Sequence, residues 1–170
     1  MHVLVKLAKD AAESYVKEKK VISPPFHCSI PSEVTEKAGV FVSIKKEGQL
    51  RGCIGTYCPQ TDNVVTEVIV NAINAATRDP RFEPIRQEEL AKLTYSVDVL
   101  SELEKVDNIS DLDPKHYGIV VTKDQRRGLL LPDLNGVDTV EEQIRISKLK
   151  AGIEEHEEVE IYRFRVMRYR

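Results

Sequence analysis

Two pairs of short β-forming runs, each pair joined by only a few turn-forming residues, set the narrowest limit on how this chain can fold. Gly39 to Ile44 is β-branched and aromatic, Glu47-Gly48 interrupts it, and a second run starts at Gln49. Gly118 to Lys123 reads as a strand, Asp124 to Arg127 as its turn, and Gly128 to Leu131 as the returning arm. Connections this short join antiparallel neighbours, because a parallel pair needs a crossover of about a dozen residues or more. Leu93 to Ser101 adds a half-buried strand in which Tyr95, Val97 and Val99 alternate with Thr94, Ser96 and Asp98. The run Leu129-Leu130-Leu131 predicts a strand covered on both faces. A terminal strand carries Tyr162, Phe164 and Val166 on one face and Arg163 and Arg165 on the other.

Helical stripes separate these runs. Val3, Leu7, Ala8, Ala11, Ala12, Tyr15 and Val16 form an amphipathic helix that ends in the basic run Lys17 to Lys20, before Pro24-Pro25. A loop continues to about Thr35. Asp62 or Thr61 is the expected cap of a second helix, with Val64, Val65, Val68, Ile69, Ala72, Ile73 and Ala76 on its buried stripe. That helix must stop before Asp79-Pro80, since the residue before proline is pushed out of the helical region. A short helical turn is expected near Glu88 to Ala91. Thr139 caps the last helix, with Glu142 completing a capping-box pattern, Ile144 and Leu149 pointing inward, and Gly152 as its stop. Helices with hairpin-connected strands argue an α+β fold, an antiparallel sheet flanked by helices, with room for a smaller second lobe.

The 170 residues suit one domain spanning residues 1–170, and 41% apolar with 31% charged residues gives both a core and a solvated surface. The net charge of −3 gives no global field to recruit nucleic acid or acidic membrane. No apolar stretch approaches the roughly 18 residues that span a bilayer, and the start lacks a signal-peptide core, so a cytoplasmic protein is expected. Three cysteines, Cys28, Cys53 and Cys58, cannot all pair within one chain, and no structural disulfide is expected. A metal set of His27, Cys28, Cys53 and Cys58 is conceivable, but the spacing differs from that of zinc knuckles and no metal is expected.

Phosphate loops, metalloprotease helices, nucleophile elbows and dinucleotide fingerprints are absent. Two constellations remain. In Arg51-Gly52-Cys53-Ile54-Gly55 a fork-shaped cation and a potential nucleophile sit across a glycine-rich, bulge-prone arm. Either Cys53 is an activated thiol or it packs as a small core residue. In Arg78-Asp79-Pro80-Arg81-Phe82, Asp79 can pair with either neighbouring arginine or with Arg51, as a site or as a helix stop. The C-terminal arginines Arg163, Arg165, Arg168 and Arg170 read as a solvated strand face, and His116 as a turn residue.

The segment Leu50-Arg51-Gly52-Cys53-Ile54-Gly55-Thr56, preceded by Phe41-Val42-Ser43-Ile44-Lys45-Lys46, resembles the hallmark of the AMMECR domain family. Asp79-Pro80-Arg81-Phe82 with Pro84, then Glu89-Leu90, Ser96-Val97, Val99-Leu100-Ser101, Glu104, Gly128 to Pro132, Glu142-Gln143 and Lys150 to Ile153 resemble its later blocks in order. Cys58 departs from the hallmark, which weakens any paired-cysteine mechanism. The resemblance implies an α+β domain of two unequal lobes with the hallmark near a cleft, and no known reaction or cofactor.

Relatives resemble protein A of the AmmeMemoRadiSam system, so the implied partners are a Memo-like protein related to class III extradiol dioxygenases and a radical SAM enzyme. The expected site comprises Cys53 as catalytic residue, with Arg51, Gly52, Gly55, Thr56, Asp79, Arg81 and Phe82 as ligand-binding residues. The alternative is a non-catalytic module that recognises a protein partner or RNA, although the net charge gives RNA no support.

Overall fold

The structure, a computed structural model, describes residues 1–24 and 36–170. The loop to Thr35, with His27 and Cys28, therefore lies outside the described residues. Among those described, three α-helices and eight strands form two four-stranded sheets, as expected of an α+β chain. The chain divides into two compact units, Met1–Leu100 with Met167–Arg170, and Ser101–Val166. No helix among the described residues is long and apolar enough to cross a membrane.

The first unit holds α1 (Val3–Glu18), β1 (Val40–Lys46), β2 (Gln49–Thr56), α2 (Val64–Thr77) and β3 (Leu93–Leu100). A 3-10 turn over Gln87–Lys92 precedes β3, where a short helical turn is expected. The sheet order is β2-β1-β3-β8, the last strand, Val166–Tyr169, coming from the C-terminus. Val40, Val42 and Ile44 of β1 and Val97 of β3 are fully buried with the stripes of α1 and α2. Two caps come from unexpected side chains. His2 Nδ1 caps α1 by accepting from Leu4 N–H, and its ring stacks on Tyr169 at 4.0 Å. Asn63, not Asp62 or Thr61, caps α2 by accepting from Thr66 N–H at 2.9 Å. Thr61 is withdrawn from capping because its N–H and hydroxyl both donate to the buried Glu67 carboxylate.

The second unit holds β4 (Glu104–Val106), β5 (Gly118–Lys123), β6 (Arg126–Leu130), α3 (Val140–Ala151) and β7 (Glu160–Phe164), in sheet order β4-β7-β5-β6. Three expectations need correction here. Leu129–Leu131 is not covered on both faces: β6 is an edge strand, and only Leu130 of the three is buried. Leu149 points outward at 69% exposure, whereas Ile144 packs inward against the core as expected, and the fully buried residues of α3 are Gln143 and Ser147, polar side chains that a search for apolar stripes passes over. Thr139 does accept from Glu142 N–H, but the Glu142 carboxylate turns to Arg145, so the reciprocal half of the capping box is not made.

The expected single terminal strand is two. Arg165 interrupts it, since its N–H donates to Ser101 Oγ at 2.8 Å and its carbonyl accepts from Ser101 N–H at 2.9 Å. Tyr162 and Phe164 thus stay in β7, while Val166 begins β8 in the other sheet.

One close approach positions everything around the hallmark segment. Gly52 faces α2, and a Cβ there would run into the Ala75 carbonyl oxygen of the helix backbone. Gly52→Ala is expected to push helix and strand apart at a cost of about 3 kcal/mol, read as a lower urea midpoint with little change in slope. A midpoint equal to that of the wild type would contradict the contact.

Candidate functional site

Strand β2 is the outer edge of its sheet, and it is bulged. Ile44 faces Gly52 while Lys45 faces Leu50, leaving Arg51 as the extra residue. The bulge expected from its glycines is thus present, within an otherwise continuous strand. On either side of this defect the side chains alternate. Gly52 and Thr56 face the helices, while Cys53 and Gly55 sit on the opposite face with their register partners Ser43 and Phe41. Gly55 is needed there because a Cβ would enter the Phe41 ring.

Cys53 turns its backbone N–H and carbonyl away from β1, toward the free edge, and the Asp79-Pro80-Arg81 corner occupies that edge. Asp79 follows the C-cap of α2 and is buried. Its Oδ2 accepts from Cys53 N–H at 2.9 Å, and its Oδ1 accepts from Arg81 N–H and Nε–H, both at 3.0 Å. Arg81 Nη2 donates to Asp79 Oδ2 at 2.7 Å and to the Cys53 carbonyl at 3.2 Å. One carboxylate and one guanidinium therefore satisfy both backbone groups of an edge residue, as a neighbouring strand would. The Arg81 hydrogen bonds hold the Asp79 carboxyl down at about 2, against its ordinary 3.8. Half of the Arg81 side chain remains exposed, lying over the Phe82 ring at 5.5 Å.

Arg51 works elsewhere. The bulge aims its guanidinium at the 83–89 connection, where Nε and Nη2 donate to the two Glu89 oxygens at 3.1 and 3.0 Å and Nη1 donates to the Glu83 carbonyl at 2.8 Å. Lys46 Nζ and the Arg86 N–H also donate to Glu89. Hydrogen bonding from Arg51 is the main reason that the Glu89 carboxyl lies at about 2. Thr56 is likewise committed, its hydroxyl donating to Glu67 at 2.6 Å. Burial pushes the Glu67 carboxyl up, but donors from Thr56, Thr61 and the Gln60 and Thr61 backbone outweigh it and bring it below its ordinary value.

The structure thus gathers Cys53, Asp79, Arg81 and Phe82 into one corner and engages Arg51, Gly52 and Thr56 in separate contacts. Burial pushes the Cys53 thiol up, and the Ser43 hydroxyl, 3.2 Å from Sγ, only partly offsets this. Among the described residues no imidazole reaches the thiol, and no cluster of three His, Cys, Asp or Glu side chains is arranged to hold a metal ion. Cys53 and Cys58 are free thiols.

Residues not singled out from the sequence share the Cys53 face. Ser43 faces Ser96, and Phe41 faces the buried Asp98, which takes a two-pronged ion pair from Arg168 at 2.8 Å on each oxygen. The alternation of Phe41, Ser43 and Lys45 with buried neighbours was the available signal. Of the terminal arginines, Arg165 and Arg170 are exposed as expected of a solvated face, whereas Arg168 meets Asp98 and Arg163 meets Glu104.

Both Asp79 and Glu89 titrate lower folded than unfolded, so the stability they add is complete above their ordinary values of 3.8 and 4.5 and is lost as pH falls through about 2. The shifts correspond to about 2 kcal/mol for Asp79 and about 3 kcal/mol for Glu89. Urea midpoints should be level from pH 7 to 5 and fall steeply below 4, and Asp79→Asn with Glu89→Gln should flatten that fall. An unchanged acid slope in the double variant would contradict the two pairings.

The sequence matches the AMMECR1 family over residues 5–169. A Thermotoga maritima protein is 55% identical over 99% of this chain and 98% of its own length. A Clostridium acetobutylicum protein is 47% identical over 98% of this chain, which spans only 35% of that longer protein. The crystal structure of an uncharacterized protein from Pyrococcus horikoshii superposes with a TM-score of 0.88 at 34% identity, covering 97% of this chain and 88% of that one. A match along nearly the whole chain, with the fold to go with it, means that this protein belongs to the AMMECR1 family.

Proposed function

We propose that this AMMECR1-family domain is a non-catalytic binding component of a modification system in which the chemistry is carried by a Memo-like protein and a radical SAM enzyme. The observation that carries this reading is the state of Cys53. Its thiol is raised by burial, and its backbone is clamped by an Asp79–Arg81 pair whose charges are already spent on each other. A nucleophilic cysteine needs the opposite environment, a cation with charge to spare and a lowered thiol pKa. Demanding chemistry is usually brought by cofactors, with the surrounding protein supplying binding and orientation. The occurrence of the same domain within a longer chain in Clostridium supports a role beside another domain. Arg81, half exposed over Phe82, offers the arginine and aromatic pairing that dominates interfaces.

Co-expression with the Memo-like and radical SAM proteins of the same genome, followed by size-exclusion chromatography at tens of micromolar, should yield a complex. Cys53→Ser should leave that complex intact, and Arg81→Ala with Phe82→Ala should weaken it tenfold or more. Absence of a complex, together with Cys53-dependent turnover of a small molecule by the isolated domain, would overturn the proposal in favour of a stand-alone enzyme.

A further inference from the structure

The second unit contains an arginine held by an aromatic ring. Among the described residues, Arg51, Arg81, Arg126, Arg145, Arg163 and Arg168 each meet a carboxylate. Arg165 is also held in place, but by an aromatic ring. Its Nη2 donates to the Tyr117 hydroxyl at 2.8 Å and its guanidinium lies 5.1 Å from the centre of the same ring. The Arg163 guanidinium stands 4.4 Å from that ring, with Nε and Nη2 on Glu104 and Nη1 on the Asp111 carbonyl. Two guanidiniums thus converge on one phenol, that of Arg163 paired with Glu104 and that of Arg165 held by the phenol itself.

The register explains the convergence. Gly118 faces Phe164, so Tyr117, one residue earlier, comes alongside Arg165, and Arg163 sits opposite Ile119 on the same side. Arg165 Nη1 and Nε have no acceptor among the described residues, and the side chain is exposed. The Tyr117 hydroxyl accepts from Arg165 and keeps its own proton to donate.

We propose that Arg165 and Tyr117, with Arg163 beside them, bind the phosphate group of a small anionic ligand. A guanidinium fixed at two points, with its remaining fork open, is pre-organised for an oxyanion, and holding it there before binding reduces the entropy lost on association. The donors arrive from two directions, the guanidinium edge and the phenol O–H. A tetrahedral oxyanion meets these on separate oxygens, whereas a planar carboxylate has only two oxygens, in one plane.

The test uses the full ¹⁵N-labelled chain and inorganic phosphate, following the Tyr117 and Gly118 amide resonances, with sodium chloride at equal ionic strength as control. Saturable shifts with a dissociation constant on the order of 1 mM are expected, absent with chloride. Arg165→Gln should weaken binding tenfold or more. Tyr117→Phe, which keeps the ring and removes the hydroxyl, should weaken it by a smaller factor while preserving the fold. Glycerol phosphate in place of phosphate separates the sources: equal affinity identifies the phosphate group alone as the determinant, and tighter binding identifies a phosphomonoester. Shifts that never saturate, that chloride reproduces, or that persist undiminished in both variants would overturn the site.

Discussion

The backbone contact between α2 and β2 at Gly52 is the constraint from which the hallmark region follows. With no side chain at this position the helix lies directly on the strand, so its C-terminal end is carried to the strand's outer edge. Two consequences arise within a few residues. The Asp79-Pro80 corner that ends the helix reaches Cys53, the residue after Gly52, and closes the open edge of the sheet with a carboxylate and a guanidinium. Arg51, the residue before it, is bulged out of register and fastens the connection leading to β3 through Glu89. An unpaired strand edge is a standing risk of association with other chains. Here the residues that end a helix also close that edge.

This arrangement changes the meaning of a cysteine next to an arginine. In sequence the pair suggests a nucleophile beside its activating cation. In the fold, the Arg51 charge is spent on Glu89 and that of Arg81 on Asp79, and burial moves the thiol away from its reactive form. The hallmark segment is therefore accounted for largely by packing, edge closure and loop attachment. In the Asp79-Pro80-Arg81-Phe82 corner beside it, Arg81 lies half exposed over Phe82, a surface suited to recognition.

Much of the fold was legible because its signals are local. Glu47-Gly48 and Asp124 mark hairpins, the Val64–Ala76 stripe marks a buried helix, and the two glycines of β2 mark a bulge and close approaches. What could not be read depends on tertiary partners. Asn63 caps α2 because Thr61 is drawn to Glu67; Gln143 and Ser147 face inward where Leu149 was expected; and Arg165 splits the last strand because Ser101 takes both its backbone groups. At the candidate site, the proximity of Asp79, Arg81 and Cys53 was foreseen. The separation of Arg51 from them was not, because a bulge redirects a side chain in a way that sequence spacing does not reveal.

The central claim is that the hallmark thiol is structural, and site-resolved alkylation of the native chain at pH 7 tests it most directly. With modification mapped by peptide mass, the exposed Cys58 should label at about the rate of a free cysteine, and Cys53 many times more slowly until the chain is unfolded. Labelling of native Cys53 faster than Cys58 would mean an activated thiolate, and would contradict the account.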